Sequence, residues 1–143
     1  MNNVKKNNKG FSLVELIVVV LIMAIIAVSL APQVMKWVGN SRIATDRQTV
    51  DSVVSSLQMA LTDSAAYSEV KDDADVKVTV DSTGVKFETG STALSTAFGK
   101  IAVPSSFALK TEGASVTITI NKGIVVKPTY ASGDKLYSKD LDN

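Results

Sequence analysis

The chain has 143 residues, a length that suits one modest domain with an appendage, and it carries 15 Lys+Arg against 14 Asp+Glu with no His and no Cys. This balance argues against a nucleic-acid-binding protein, which needs a basic surface. Without His and Cys, most zinc sites, thiol nucleophiles and Ser-His-Asp triads are excluded, as is a disulfide framework. We therefore expect no enzyme, no metal, no cofactor and no nucleic-acid partner.

The first ten residues form a basic leader that precedes a long apolar stretch. The leader contains Lys5, Lys6 and Lys9 and no acidic residue. By the positive-inside rule these lysines keep the N-terminus in the cytoplasm. The rest of the chain, beyond the apolar stretch, is then expected outside the membrane.

The apolar stretch covers residues 11–31 and is interrupted only by Ser12, Glu15 and Ser29. At about 1.5 Å per residue it forms a helix of about 30 Å, which matches the hydrocarbon core of a bilayer. The sequence therefore predicts a single-pass protein of the cytoplasmic membrane.

Glu15 decides between three interpretations of this N-terminus. A cleaved secretory signal is consistent with the small residues at 29–31, but Pro32 would directly follow that cut and is unfavourable there. A simple signal anchor leaves Glu15 unexplained, because a carboxylate in an apolar helix costs about 2.5–3.5 kcal/mol near the bilayer centre and somewhat less near its edge, and Glu15 lies about 6 Å inside the start of the run. We therefore expect Glu15 to have a partner.

The residues around Glu15 supply the third interpretation. The segment Lys9-Gly10-Phe11-Ser12-Leu13-Val14-Glu15 resembles the class III signal of type IV prepilins and pseudopilins, and looks most like the type IVa group. This resemblance implies that a prepilin peptidase cuts between Gly10 and Phe11 and methylates the new Phe11 amine. It also implies that Glu15 is the carboxylate used in assembly. A glycine at the cut leaves the peptide bond unencumbered.

The resemblance implies a structural protein that polymerises with identical copies into a type IV pilus through its N-terminal helix. The implied partners are prepilin peptidase, an assembly ATPase and its platform protein. The subunit would lie in the cytoplasmic membrane before assembly and in a surface filament afterwards, which could serve motility or adhesion. Two alternatives stay open: a pseudopilin of a type II secretion or competence system, and a membrane-anchored extracellular binding domain that does not polymerise.

Residues 32–67 are predicted to continue the helix with a different, amphipathic pattern. Pro32 indicates either a kink or a helix boundary, and the helix is expected to end near Ala66 or Tyr67. Arg42/Asp46 and Arg47/Asp51 have the spacing of ion pairs along a helix. One apolar stripe consists of Ile43, Val50, Val54, Leu57 and Leu61. The opposite polar face consists of Thr45, Gln48, Thr49, Ser52, Ser55 and Ser56.

Residues 68–143 are predicted to form a β-rich globular head. Alternating patterns indicate strands at 76–80, 85–88, 115–120 and 124–127, with a short helix at 92–100 and a loop at 104–106. The apolar stripe of the long helix would cover this sheet, giving an α+β fold of one long helix on about four antiparallel strands, the type IV pilin fold. The tail from Ala131 is polar and expected to be poorly ordered. The acidic groups at 72–75 and at Asp134, Asp140 and Asp142 are weak calcium candidates.

Overall fold

The computed structural model describes residues 10–72, 75–130 and 133–137. The chain divides into two compact units, of which the first ends at Trp37 and the second begins at Val38. The two units share one helix, α1 (Leu13–Ala60). The fold is α+β, as predicted, with a long N-terminal helix packed on a small antiparallel sheet.

Helix α1 continues through Pro32. The interpretation of Pro32 as a helix boundary is therefore wrong, while a kink there stays a prediction. Proline removes the N–H that would bond to the carbonyl four residues earlier. Nearby, the Ser29 hydroxyl donates to the Ile25 carbonyl at 3.0 Å, a pattern that often accompanies helix bending.

The second half of α1 supplies the helical layer of the core. Val50, Val54 and Leu57 of the predicted stripe are buried, and Ile43 and Leu61 are partly buried against them. Val53 and Ala60 widen the stripe. Ser56 was placed on the solvent face, but it is buried, and its hydroxyl donates to the Ser52 carbonyl at 2.9 Å.

Helix α1 ends at Ala60, so the predicted end near residue 66 is wrong. A separate helix, α2 (Ser64–Val70), follows after three residues. Asp63 caps α2, because its side chain accepts the Ala65 N–H at 2.9 Å. Backbone hydrogen bonds from Ala65 and Ala66 hold the pKa of Asp63 below its usual value.

Four antiparallel strands form the sheet: β1 (Val76–Asp81), β2 (Gly84–Phe87), β3 (Val116–Asn121) and β4 (Ile124–Val126). Their order is β2-β1-β3-β4, so the two predicted hairpins lie side by side. Within β1 and β3 every second side chain is buried, which is the alternation that the sequence showed. The buried side chains face α1 and form one core with it.

The β1–β2 turn carries a polar cluster at Asp81. Its carboxylate accepts the Lys86 Nζ at 2.6 Å and both the N–H and the hydroxyl of Thr83. The hydrogen bond from Lys86, followed by those from Thr83, holds the pKa of Asp81 well below its usual value. The turn therefore has side-chain support in addition to its backbone bonds.

Helix α3 (Thr92–Ile101) forms as predicted and is tied to α2 by Glu69. Both carboxylate oxygens of Glu69 accept backbone N–H groups, from Ala93 at 3.2 Å and from Leu94 at 2.9 Å. Phe98 of α3 is fully buried, with its ring 5.4 Å from that of Phe87. The predicted loop after α3 contains a 3₁₀ turn, Pro104–Phe107.

Asp46 joins α1 to the loop before β3. It is 1% exposed, and its two oxygens accept the backbone N–H groups of Lys110 at 2.9 Å and Thr111 at 2.7 Å. The predicted pair with Arg42 is therefore wrong. The carboxylate instead accepts hydrogen bonds from backbone N–H groups that lie more than sixty residues later in the sequence.

Part of the C-terminal tail is packed on the head, contrary to the sequence prediction. Leu136 is 2% exposed, and its carbonyl accepts Nε of Arg47 at 2.7 Å. The same guanidinium lies over the Tyr130 ring at 4.5 Å. Burial raises the pKa of Tyr130. The expectation of poor order is wrong for residues 133–137, while 138–143 lie outside the described residues.

Candidate processing and assembly site

The Gly10–Phe11 peptide bond lies outside helix α1. Gly10, Phe11 and Ser12 are not helical, and the first helical residue is Leu13. Gly10 is exposed, and Phe11 is 89% exposed. A peptidase needs an extended and accessible peptide bond, and both residues of this bond are exposed.

The fold of this chain does not itself require glycine at position 10. Among residues 10–72, 75–130 and 133–137, a Cβ built on Gly10 would have no atom within 4 Å, and the φ of Gly10 is not in the left-handed region. An alanine there would meet no steric obstacle in the free chain. The described chain therefore gives no steric reason of its own for glycine at this position.

Ser12 and Glu15 form a capping box at the start of α1. The Ser12 hydroxyl accepts the Val14 N–H at 3.3 Å, and Oε2 of Glu15 accepts the Ser12 N–H at 3.0 Å. Each side chain thus satisfies a backbone donor that the helix start leaves without a partner. The capping role of Glu15 is not among the roles predicted above, although the Ser-x-x-Glu spacing before an apolar run is the known sequence signal of a capping box.

Glu15 is the only charged residue between positions 10 and 35. Together with Phe11, Val14, Val18 and Val19 it lines a shallow groove of about 360 Å³ on one side of the helix start. Phe11 and Glu15 are one turn apart, so they share this side of the chain. The groove combines one carboxylate with an otherwise apolar lining.

The apolar side chains of residues 16–38 are all exposed. Leu16, Ile25 and Val28 are 61%, 68% and 76% exposed. By length and composition α1 contains a segment able to cross a membrane, with a mean hydropathy of 3.1 and no buried residue in that segment. An uncovered apolar helix of this size is typical of a segment that lies in lipid or against other chains.

The remaining predicted residues are only partly described. Lys5, Lys6 and Lys9 lie outside the described residues, as do Asp73, Asp140 and Asp142. Asp72 pairs with Lys71 at 3.1 Å, and Asp75 accepts the side-chain N–H of Asn121 at 3.3 Å. Among residues 10–72, 75–130 and 133–137, no group of three or more acidic side chains is placed to hold a metal ion.

Comparison with known proteins agrees with this geometry. Residues 5–31 match the family described as the prokaryotic N-terminal methylation motif. Over 128 residues the chain is 30% identical to prepilin peptidase-dependent protein A of Clostridium perfringens, an alignment that covers 85% of each chain. No solved structure matches the chain.

An exposed apolar helix segment with a capped start, followed by a helix-on-sheet head, is the architecture of a pilin-like protein, and the apolar segment is long enough to anchor it in a membrane. The match over 85% of the chain and the methylation motif make the assignment specific. The chain belongs to the type IV pilin and pseudopilin family. Neither the motif nor the name of the relative indicates an enzyme.

Proposed function

We propose that this chain is a structural subunit that polymerises into a type IV pilus through the first half of α1. Prepilin peptidase first cuts between Gly10 and Phe11, and the Phe11 amine is methylated. The observation that carries the proposal is the uncovered apolar first half of α1, in which Glu15 is the single carboxylate between positions 10 and 35 and lies one turn from the new N-terminus. The relative's name, which states dependence on prepilin peptidase, supports the processing step.

The apolar surface supplies the force for polymerisation. Before assembly, lipid covers the side chains after Glu15, and an assembly ATPase with its platform protein would drive the subunit out of the cytoplasmic membrane. Once the subunit is extracted, exposure of these side chains to water would cost about 25 cal/mol of free energy per Å² of apolar area. Packing against the same helix of other copies avoids that cost and gives an extracellular filament with an apolar core.

Glu15 supplies the register of that packing. Cleavage creates a positive amine on Phe11, and in a stacked filament the amine of one copy can pair with Glu15 of another. At an effective dielectric constant of about 20, opposite charges 4 Å apart attract by about 4 kcal/mol before desolvation is subtracted. One such pair selects a single axial offset among aliphatic helices, as one polar residue does in a coiled coil.

Surface filaments sheared from the source cells test this proposal. We expect intact-mass analysis of their main subunit to give this chain, beginning at Phe11 and carrying one added methyl group. Cells from which the chain is deleted serve as the control and should lack the filaments. A mature N-terminus at Met1 or Pro32 would contradict the proposal. So would filaments that still form in the deletion cells, or filaments that do not contain this chain while it stays in the membrane fraction.

A further inference from the structure

Two charged residues bracket the first uncharged part of α1 at a spacing that matches a bilayer. Glu15 and Lys36 enclose residues 16–35, none of which is charged. These residues are helical throughout. By the helical rise they extend about 30 Å, the thickness of the hydrocarbon core.

Beyond Val28 the helix changes from apolar on all sides to amphipathic. Up to Val28 the side chains after Glu15 are apolar on all sides. Beyond it, Ser29, Gln33 and Lys36 recur at the spacing of one helix face, whereas Leu30, Val34 and Trp37 recur on another. An all-apolar helix is typical of the hydrocarbon core, and the two polar side chains that follow are compatible with its outer end: the Ser29 hydroxyl donates to the Ile25 carbonyl, and Gln33 lies only about 4.5 Å before Lys36 by the helical rise.

Trp37 has the properties of a residue at a membrane interface. Its side chain is 67% exposed. Neither the indole N–H of Trp37 nor the ammonium group of Lys36 has a hydrogen-bond or ion-pair partner among the residues that the structure describes. Tryptophan prefers the headgroup level of a bilayer because its ring is apolar and its N–H is polar. A lysine at the same level extends its ammonium group to the lipid phosphates.

We propose that Lys36 and Trp37 form an anchor that binds the outer headgroup region of the membrane, so that residues 16–35 occupy the hydrocarbon core. This inference rests on the membrane stage of the proposed function. It replaces the span of residues 11–31 expected from the apolar stretch alone. With that earlier span, Trp37 would lie about 9 Å beyond the hydrocarbon core, outside an interfacial layer of about 5–7 Å on each side.

The shifted span also changes the environment of Glu15. With residues 16–35 in the core, the carboxylate lies at the inner boundary, where its charge is still hydrated. The cost of about 2.5–3.5 kcal/mol for an acid near the bilayer centre then does not apply. The anchor thus keeps Glu15 and the neighbouring Gly10–Phe11 bond at the cytoplasmic surface before assembly.

Trp37 is the single tryptophan of the chain, so its fluorescence reports this position alone. The full chain is reconstituted in phosphatidylcholine–phosphatidylglycerol vesicles that carry a nitroxide either near the headgroup or near the methyl end of the acyl chain. We expect a larger loss of Trp37 emission with the shallow nitroxide. The depth reference is Trp37→Phe combined with Ile25→Trp, whose tryptophan lies at the middle of residues 16–35 and should respond more to the deep nitroxide.

Each other outcome overturns the inference in a distinguishable way. If the Ile25→Trp reference reports a deep position but Trp37 responds only to an aqueous quencher, the anchor is wrong and the membrane stage stands. Stronger quenching of Trp37 by the deep nitroxide likewise means that the anchor is wrong while the chain is inserted. If neither tryptophan is quenched by labelled lipid, the chain is not inserted, and the membrane stage fails as well. If quenching of Trp37 by labelled lipid rises when the protein-to-lipid ratio is lowered, a second copy covers Trp37 at the higher ratio, and the surface around Trp37 binds that copy instead of the headgroups.

Lys36 is tested by the same measurement. In Lys36→Leu the charge that stops the helix from sliding inwards is absent, so quenching of Trp37 by the deep nitroxide should increase. Lys110→Leu is the matched control, because Lys110 is an exposed lysine of the head. An equal response of the two variants, or no response of either, would contradict the part assigned to Lys36.

Discussion

Glu15 accepts a hydrogen bond from Ser12 and lies one turn from the residue that becomes the N-terminus. These are two separate uses of one carboxylate. The capping bond needs only an acceptor oxygen, whereas attraction to the amine of another copy needs a negative charge. A side chain that keeps the oxygen and loses the charge therefore separates the two.

Glu15→Gln is expected to be cleaved and to accumulate in the membrane, yet to give few or no filaments. The amide oxygen can still accept the Ser12 N–H, so the start of the helix keeps its cap, and loss of the charge adds no cost to membrane insertion. Glu15→Ala should show the same assembly defect and in addition lose helix capping of about 1 kcal/mol. The measurements are the mass of the membrane-bound subunit and the yield of sheared filaments.

Glu112→Gln is the matched control for that charge, because it removes an exposed acid from a loop of the head. Its filament yield should equal that of the wild type. Normal yield from Glu15→Gln, with the assembly machinery intact, would show that the charge of Glu15 does not set the register.

Asp46 is the one buried acid among the residues that the structure describes. Asp46→Ala removes the acceptor of two backbone N–H groups and leaves both donors without a partner away from water. With about 1.5–3 kcal/mol for each bond to a charged group, we expect a loss of about 3 kcal/mol or more. Urea unfolding of residues 38–143 measures this loss.

Asp51→Ala is the comparison for Asp46. Asp51 pairs with Lys127 at 2.9 Å, but half of its side chain is exposed. An exposed ion pair contributes about 0–1 kcal/mol, so the variant should remain close to wild-type stability. If Asp46→Ala is no more destabilising than Asp51→Ala, the buried carboxylate does not hold the loop before β3.

At the scale of elements, Gly84 joins the first hairpin to the 3₁₀ turn. Its φ is +115°, and a Cβ there would lie 2.8 Å from the Ser105 Cα and closer still to the Pro104 carbonyl oxygen. Both neighbours are backbone atoms and cannot turn aside. Gly84→Ala should therefore cost a strained φ of about 1–3 kcal/mol and a displacement of the 3₁₀ turn in addition.

Gly90→Ala isolates the cost of the strained φ from the cost of displacing the 3₁₀ turn. Gly90 also has a positive φ, +105°, but a Cβ there would have no atom within 4 Å. The two variants are compared by urea unfolding of residues 38–143, and Gly84→Ala is expected to be clearly less stable. Equal stability would mean that contact with the 3₁₀ turn contributes nothing.

The elements also show which signals in the sequence were sufficient. Strands β1 and β3 and helix α3 could be predicted because the apolar periodicity of each lies entirely within its own segment of sequence. The end of α1 was misplaced because apolar residues continue into α2, while the interruption depends on one capping residue, Asp63. Caps are local, and the Ser12–Glu15 box could likewise have been found from its spacing.

For the whole molecule, the errors lie where the contact is distant in sequence. Asp46 bonds to a loop 64 and 65 residues later, and Arg47 to a carbonyl 89 residues later. Helical spacing instead suggested ion pairs with near neighbours. Leu136 lies in a polar tail, and only the folded head provides the place where it is buried. The signal around Gly10 and Glu15 was predictable because all of it lies within seven residues.

The division of the chain into two units predicts that the head folds without the membrane segment. Every buried apolar side chain of the described residues lies at Val50 or beyond, so removing residues 1–37 takes nothing from the core. The removed part includes the uncovered apolar surface from Phe11 to Trp37. We therefore expect residues 38–143 to form a soluble monomer with mixed helix and strand.

Sedimentation velocity, circular dichroism and urea unfolding measure these properties. Unfolding should be a single cooperative transition, and its midpoint should not change with dithiothreitol, because the chain contains no Cys. The full chain is the control, and it should need detergent or lipid to remain dispersed. Aggregation of residues 38–143 without detergent, or gradual unfolding without a transition, would mean that the helix-on-sheet core depends on the first unit for its stability.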